Sequence, residues 1–389
     1  LQNQNIPNVR FNDFIGEWKT DVISNLADRF DNLRVPVTAS NRIPGKIPYY
    51  GANGVQDYVE GFTHDGEYVL VAEDGANDLR NYPVNFVVGK VWVNNHAHVL
   101  SGKANKLSNH FLKDRLKTIN FERYLVGGSR AKLNADILMK IPVSFPSLPE
   151  QSAIGQLFST LDDLLSAHKD NLSNYQTFKS TMLSKMFPKH GQTFPEIRLA
   201  GFDGEWENVN LGDLVVEHNE IVQGTTGFPI ATSFRKGLFL QNEYFDGGRT
   251  GIDESIQFHL VPIGYITYQH MSDDSIFKFN RNHYKTDILV SKEYPVFKNN
   301  EKSDIDFILY HLNNCPEFRR FSRIQKLGGT RVRLYFKNLV AYKLLIPTLN
   351  EQQAIGSFFS NLDDLISSTQ SKIEELETLK KKLLQGMFV

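Results

Sequence analysis

The sequence predicts an α+β protein with an internal pseudo-twofold repeat: two globular α/β modules separated by two long helices that pair as an antiparallel coiled coil. Three observations lead there. Residues 148–166 and 349–367 agree at 13 of 19 positions, at a constant offset of 201 and without a gap, and a repeat of this kind constrains every other assignment. Both copies continue as uninterrupted helical patterns to Met186-Phe187 and Met387-Phe388. A second match, at offset 188, joins Pro7-x-x-Arg10-x-x-x-Phe14-x-Gly16-Glu17-Trp18 to Pro195-x-x-Arg198-x-x-x-Phe202-x-Gly204-Glu205-Trp206.

These matches divide the chain into a first module at 1–147, a first long helix at 148–187, a linker at 188–194, a second module at 195–348 and a second long helix at 349–389. Pro188 ends the first helix, and Gly191 with its polar neighbours loosens the connection. Within the first module, Val69-Leu-Val-Ala72, Phe86-Val-Val88 and Val91-Trp-Val93 are short apolar runs between turn residues and read as strands. In the second, Phe239-Leu-Gln241 and Tyr265-Ile-Thr-Tyr268 read the same way, and 304–325 reads as helix with a break at Pro316. The two variable regions, about 19–124 and 207–325, are not obviously alike.

In the first long helix Ile154, Leu157, Leu161, Leu164, Tyr175, Phe178 and Met182 fall at heptad a and d spacing, as do Ile355, Phe358, Leu362, Leu365, Leu376, Leu379 and Leu383 in the second. Phe158, Leu165 and Leu172, with their mates Phe359, Ile366 and Ile373, widen the stripe, while His168, Asn171, Thr369 and Lys372 interrupt the seam. So wide a stripe needs a partner along its length, and each helix extends roughly 57 Å. The economical partner is the other helix; the alternative is two separate helices, each packed on its own module.

Composition is that of an ordinary globular chain. No run of 18 apolar residues occurs and the N-terminus lacks an apolar signal core, so no membrane span or secretory leader is expected. A single cysteine, Cys315, excludes disulfides within the chain and suits a reducing cytoplasm. The net charge of −1 conceals two basic blocks: 100–147 holds nine Lys/Arg against three acids, and 316–348 holds eight against one. Two such blocks at corresponding positions point to two equivalent contacts with an anionic partner.

The Glu-Gln-x-Ala-Ile-Gly-x-x-Phe-Ser-x-Leu-Asp-Asp helices resemble the two central repeats of the specificity (S) subunits of type I restriction–modification systems. Ile47-Pro-Tyr-Tyr-Gly-Ala-Asn-Gly54 and Asn94-Asn-His-Ala-His-Val-Leu100 resemble one version of that family's target-recognition domain, and Phe228–Ser233 with Gly237–Phe245 resemble another. The resemblance runs over nearly the whole chain. It implies a cytoplasmic, non-catalytic subunit that binds double-stranded DNA, two methyltransferase (M) subunits and motor-nuclease (R) subunits. S-adenosylmethionine, ATP and Mg then belong to those partners, and no cofactor to this subunit. The implied target is bipartite with a nonspecific spacer; because the two variable regions differ, its half-sites should differ, and the helix pair would act as a ruler between them.

The residues agree with a non-catalytic role. No Asn/Asp-Pro-Pro-aromatic motif of amino methyltransferases occurs, and the Gly-Lys pairs at 45–46, 89–90 and 102–103 fit no phosphate loop. Glu17-Trp18-Lys19 mimics part of a nuclease motif, but its repeat mate is Glu205-Trp206-Glu207, so it reads as structural. His96-x-His98 would place two imidazoles on one strand face, yet nothing nearby completes a metal set. Asp162-Asp163 and Asp363-Asp364 read as docking or surface residues.

Phosphate contacts need Lys, Arg and free amides, and base contacts need groups that bond to base edges. The Gly-Gly-Ser/Thr-Arg turns supply Ser129, Arg130, Thr330 and Arg331, with Lys132 and Arg333 beside them, as expected backbone contacts; a plain tight turn is the alternative. Expected base readers are Arg42, Lys46, Tyr50, Asn53, Asn95, His96 and His98 in the first module, and Thr226, Ser233, Lys236, Asn242, Tyr268 and His270 in the second, although aromatics such as Tyr49 and Tyr268 equally suit the core. The competing readings are a complete single-chain restriction or modification enzyme, opposed by the missing motifs, and a helical scaffold that binds no DNA, opposed by the basic blocks.

Overall fold

A computed structural model describes residues 5–128, 131–241, 256–325 and 331–389. They form two compact units: residues up to 170 together with 371–389, and residues 171–370. The division falls inside the two long helices, because packing ties each module to the start of its own helix and to the end of the other. Among the described residues no helix is long and apolar enough to cross a membrane.

The first unit carries β1 (Lys19–Val22), β2 (Ala27–Arg29), β3 (Pro44–Gly51), β4 (Gly54–Val59), β5 (His64–Ala72), β6 (Val84–Val93), β7 (Ala97–Gly102) and β8 (Pro142–Phe145), with helix α1 (Asn109–Lys117) and the start of α2 (Leu148–Lys185). One sheet runs β2-β7-β5-β6-β3-β4. Its pairs are antiparallel except β3 with β6, where Tyr49 lies opposite Trp92. Val69, Leu70 and Val71 of β5 are all buried, as befits a central strand covered on both faces. Phe111, Leu112 and Leu116 of α1 are fully buried beside it. The two runs 86–88 and 91–93 belong to a single strand: Gly89, at φ +79°, lies opposite Gly66 and carries the pairing through.

The second unit is built from shorter strands. Its sheets are β10-β19-β15-β17 and β11-β14-β18, with the hairpin β12–β13 and the pairs β16–β20 and β9–β21. The strands are β9 (Glu207–Asn210), β10 (Val215–His218), β11 (Ile221–Gln223), β12 (Ala231–Phe234), β13 (Gly237–Leu240), β14 (Gln257–Val261), β15 (Ile266–Tyr268), β16 (Met271–Ser272), β17 (Phe279–Arg281), β18 (Ile288–Ser291), β19 (Val296–Asn299), β20 (Val332–Arg333) and β21 (Lys343–Ile346). Helices α3 (Ile305–Asn314) and α4 (Pro316–Ile324) meet at the expected break, and α5 (Leu349–Met387) is the second long helix. Asp304 caps α3, accepting the Phe307 N–H at 2.9 Å.

Different as the sheets are, the same frame holds both. In the first unit β1 pairs with β8, Lys19 opposite Phe145; in the second β9 pairs with β21, Glu207 opposite Ile346, the same register after offsets of 188 and 201. The opening-motif arginine reaches the helix glutamate. Arg10 donates twice to buried Glu150 at 2.7 Å and to the Gly16 carbonyl at 2.6 Å; Arg198 donates to buried Glu351 at 2.8 and 2.6 Å and to Gly204 O at 2.5 Å. A bidentate pair of this kind fixes orientation as well as charge.

The next helix residue stitches a third segment. Gln151 accepts the Ser108 N–H at 2.9 Å and donates to Lys106 O and Pro146 O. Gln352 does the same for Asp304 N, Lys302 O and Pro347 O. So α1 and α3, 196 residues apart, are themselves repeat mates, a similarity the sequence comparison missed. Glycine at 155 and 356 lets these helices approach: a Cβ at Gly155 would lie 2.7 Å from His110 Cβ, and one at Gly356 would collide with Asp304.

Each long helix ends in an aromatic plug. In the first unit Phe388 sits 6.2 Å from Trp18, 5.4 Å from Phe111 and 5.8 Å from Phe158, centroid to centroid. In the second, Phe187 sits 6.3 Å from Trp206, 5.5 Å from Phe307 and 6.2 Å from Phe359. Every contact repeats, and each unit is plugged by the helix that began in the other half. Aromatic pairs add about 0.5–1.5 kcal/mol each beyond area burial.

Within each unit the helices run antiparallel. Asp162 pairs with Lys380, and Lys169 with Glu377 at 2.6 Å; in the second unit Asp363 pairs with Lys179. The expected seam needs correction. Ile154, Phe158, Leu161 and Leu165 are buried in one helix, and Ile355, Phe359, Leu362, Ile373 and Leu376 in the other, whereas Leu164, Phe178, Leu365 and Leu379 are exposed. The buried line thus steps by four where the heptad assignment stepped by three. Thr369, read as an interruption, lies buried on that line because its hydroxyl donates to Leu365 O at 2.7 Å.

Candidate nucleic-acid interface

In the first unit, four loops converge at one end of the six-stranded sheet. Asn53, in the β3–β4 turn, donates to Gly75 O and accepts the Asn77 N–H, both at 2.9 Å. His96, in the β6–β7 turn beside exposed Asn95, bonds Asp74. Asp74 bridges to Lys132, and the Leu133 N–H donates to Glu73 O at 2.7 Å, which draws in the 126–133 loop. Asn53, Asn95, His96 and Lys132 are therefore brought together. Gly127, at φ +100°, opens the turn, while Ser129 and Arg130 lie outside the described residues.

Below these loops lies an ionic network. His98 is buried, bonded through Nδ1 to Asp31 at 2.7 Å and through Nε2 to Leu133 O at 2.8 Å. Arg34 reaches Glu73 at 2.6 Å and Asp31 at 3.5 Å, and Lys132 reaches Glu73 at 2.8 Å. Burial pushes both carboxyls up, but the hydrogen bonds and charges of His98, Arg34 and Lys132 outweigh it and hold Asp31 and Glu73 below their usual range. The ligand atoms of Asp31, Glu73 and His98 lie within 4.8 Å of one another; the two side-chain cations already balance the carboxylates there, so the cluster fits an ion-pair network rather than a metal. Two expectations change. His98 is a buried strut and cannot reach a base, and His96 sits on a turn, so the two imidazoles do not share a strand face. Lys132 spends its charge partly on Glu73.

The remaining first-unit residues lie elsewhere. Arg42 stacks 4.1 Å over Tyr49 and pairs with Asp57 at 3.3 Å, so it fixes its own loop. Tyr50 is half-buried against the sheet core, and burial, then the neighbouring Tyr58, raises its phenol. Lys46 is exposed and has no ion pair among the described residues, but it precedes Asn53 by seven residues of strand and turn, roughly 20 Å.

In the second unit three expected readers are internal. Tyr268 is fully buried and donates to Leu334 O at 3.0 Å; Ile266, Thr267 and Tyr268 of β15 are all buried, so both its faces are core. Ser233 is buried and accepts from Asn280 at 2.7 Å. His270 is buried and stacked on Tyr335 at 5.4 Å, its pKa lowered by burial. Thr226, Lys236, Arg331 and Arg333 are exposed, and Arg331 pairs with Asp273 at 2.8 Å. Asn242 and Thr330 lie outside the described residues. A cleft of about 180 Å³ is lined by Arg331 with Arg235, Gln269 and Lys278, three residues the sequence reading missed. Arg235 is anchored on Asp274 at 2.5 Å, and burial lowers the Lys278 pKa. No local signal in the sequence marked them: between Arg249 and Lys278 the chain carries no Lys or Arg, and Arg235 meets Asp274 across 39 residues.

Comparison with known proteins identifies the framework. The family described as "Type I restriction modification DNA specificity domain" matches residues 16–175 and again 204–378. A Haemophilus influenzae protein named as a putative type I restriction enzyme specificity subunit is 32% identical over 366 residues, covering 90% of this chain and 89% of its own. A Methanocaldococcus jannaschii protein, named as the putative MjaX specificity subunit, is 26% identical over 305 residues, 70% of this chain and 65% of its own. The crystal structure of a type I restriction–modification S subunit from M. genitalium matches with a TM-score of 0.70 at 14% identity, over 99% of both chains; that likeness carries the fold.

Proposed function

The chain belongs to the type I restriction–modification DNA specificity family, and on that premise we propose that it reads an asymmetric bipartite sequence in double-stranded DNA and positions partner subunits there. The carrying observation is the duplicated frame: Arg10–Glu150 and Arg198–Glu351, with the Phe388 and Phe187 plugs, hold two unlike sheets in equivalent settings. Equivalent frames suit two copies of one partner, and unlike sheets suit two different half-sites. In this reading two methyltransferase subunits dock on the repeat, motor-nuclease subunits join them, and the partners supply S-adenosylmethionine, ATP and Mg. This chain is non-catalytic.

The converged loops of the first unit would read one half-site, with Asn53, Asn95 and His96 toward bases and Lys132 toward phosphate. Lys236, Arg331, Arg333, Arg235 and Lys278 would serve the other. The test is to express the chain with its methyltransferase partner and map methylated adenines. Exchanging residues 24–140 for the same region of a relative should change one half-site and leave the other. A change in both, or methyl transfer by the purified chain alone, overturns the proposal.

A further inference from the structure

The internal repeat supplies its own control for a cleft that the DNA-reading loops do not use. In the first unit a cleft of about 1200 Å³ opens between the end of α1 and the α2–α5 pair. Its floor is apolar, with Ile119, Leu165, Leu384 and Phe388, and its walls carry Arg115, Lys117, Arg123, Lys169, Lys380 and Lys381. Two acids line it, and both are taken: Asp162 by Lys113 at 2.9 Å and by Lys380, and Glu377 by Lys169 at 2.6 Å. Lys117, Arg123 and Lys381 have no ion pair among the described residues. The Arg115 Nε is buried without a hydrogen-bond partner, while its Nη1 holds Thr118 at 2.7 Å.

The second unit has the matching cleft, about 880 Å³, lined by Asp363, Ile366, Lys179, Leu183 and Phe187 at the positions of Asp162, Leu165, Lys380, Leu384 and Phe388. The shared residues are those that pair the helices. The second cleft also carries Lys189, paired with Glu196 at 2.8 Å, and Arg320, 3.8 Å from Glu317, and an offset of 196 puts Arg319, which does not line it, at the place of Arg123; the other surplus cations are not shared. Offsets of 196 and 201 put His311 at the place of Arg115, Asn313 at Lys117, Ser180 at Lys381 and Gln370 at Lys169. His311 is buried with its pKa lowered to about 3, so that place is neutral. One cleft has therefore gathered positive charge that the common architecture does not require. The gathering is costly: burial, then the charges of Lys380 and Lys113, lowers the Lys117 pKa, although its side chain can still be reached by solvent.

We propose that the first-unit cleft binds phosphate groups, through Lys117, Lys381, Arg123 and Arg115, and that its repeat mate does not. Uncompensated cations above an apolar floor suit a phosphate-bearing ligand, whose charge relieves the repulsion while sugar or base covers the floor. That chemistry has two sources, a DNA backbone or a free nucleotide. The first rests on the DNA-recognition reading; the second does not.

The test uses the full chain and inorganic triphosphate in titration calorimetry. Wild type should bind one equivalent. Lys117→Gln with Lys381→Gln should weaken binding at least tenfold, and the control Asn313→Ala with Ser180→Ala should leave it unchanged. A 12-base-pair duplex of arbitrary sequence separates the sources: a backbone contact lowers the salt slope of the lysine variant by about two, whereas a nucleotide site leaves that slope as in wild type. Absence of triphosphate binding, an equal loss in the control variant, or equal competition by a glutamate-rich peptide overturns the proposal. None of those results touches the reading of the family's DNA target, which methylation mapping decides.

Discussion

Phe388 lies edge-on to Trp18, 6.2 Å between centroids at an interplanar angle of 87°, although 370 residues separate them in the chain. Both are buried, with Phe111 and Phe158 completing the cluster. Phe388→Ala should therefore destabilise the first unit by about 3–5 kcal/mol. Hydrogen exchange should show the loss around Trp18, α1 and the start of α2, with the second unit unaffected. Uniform loosening of both units would contradict it.

Gly155→Ala improves intrinsic helix propensity by about 1 kcal/mol, yet should destabilise. The new methyl would lie 2.7 Å from His110 Cβ, and α1 must move away, weakening the Gln151 bond to Ser108 N. A denaturation midpoint at or above wild type would show that α1 shifts freely.

Asp114 is fully buried, and neither of its oxygens accepts a hydrogen bond, although Lys113 Nζ lies 3.1 Å from one of them. Burial pushes its pKa up to about 6. A carboxyl raised above its unfolded value of about 4 costs stability as pH rises from about 4 to about 6, and the cost stays constant above that. Asp114→Asn should accordingly stabilise by about 1–3 kcal/mol at pH 7.5 and by almost nothing at pH 4, since Lys113 keeps Asp162. Urea melts at both pH values check the difference.

How much of this was legible in the sequence varies by residue. The Arg10, Trp18 and Glu150 frame could be located because repetition marks it, though not its bonding: an arginine and a glutamate 140 residues apart carry no local signal that they meet. The α1–α3 equivalence was hidden because packing asks only for Phe111 and Phe307, Leu116 and Leu312, and leaves the positions between free. The recognition residues were hardest. Tyr268, Ser233, His270 and His98 have the chemistry of base readers, and the same hydrogen-bonding capacity serves to satisfy buried partners; composition cannot say which. Asn53 and His96 came out at a loop end because turns are where such residues are both exposed and locally useful.

Arg331 is exposed and, among the described residues, is held by Asp273. Arg331→Ala should weaken DNA binding alike for all sequences and lower the salt slope by about one. A change of recognised bases at constant slope would assign it to base reading.

A fragment ending near Lys189 lacks the Phe388 plug but retains Phe187, its repeat mate. Two copies should exchange these helix ends and form an isologous dimer, whose target becomes a palindrome of the first half-site. His168 and Asn171 would then face copies of themselves, so the dimer should be weaker than the intact pairing. Sedimentation and methylation mapping with the partner test this; a folded monomer, or an unchanged asymmetric site, rules it out.

The plug also sets a timetable for synthesis. The first sheet leaves the ribosome long before residues 371–389 exist, and at about 5–20 residues per second the intervening two hundred take roughly 10–40 s. For that interval Trp18, Phe111 and Phe158 lack their plug, and because Phe187 of the same chain lies at the far end of the helix that carries Phe158, the fitting aromatic that can reach them is Phe187 of the chain behind it in the polysome. Translation speed through the second module, rather than the stability of the finished protein, then governs how often neighbouring chains become entangled.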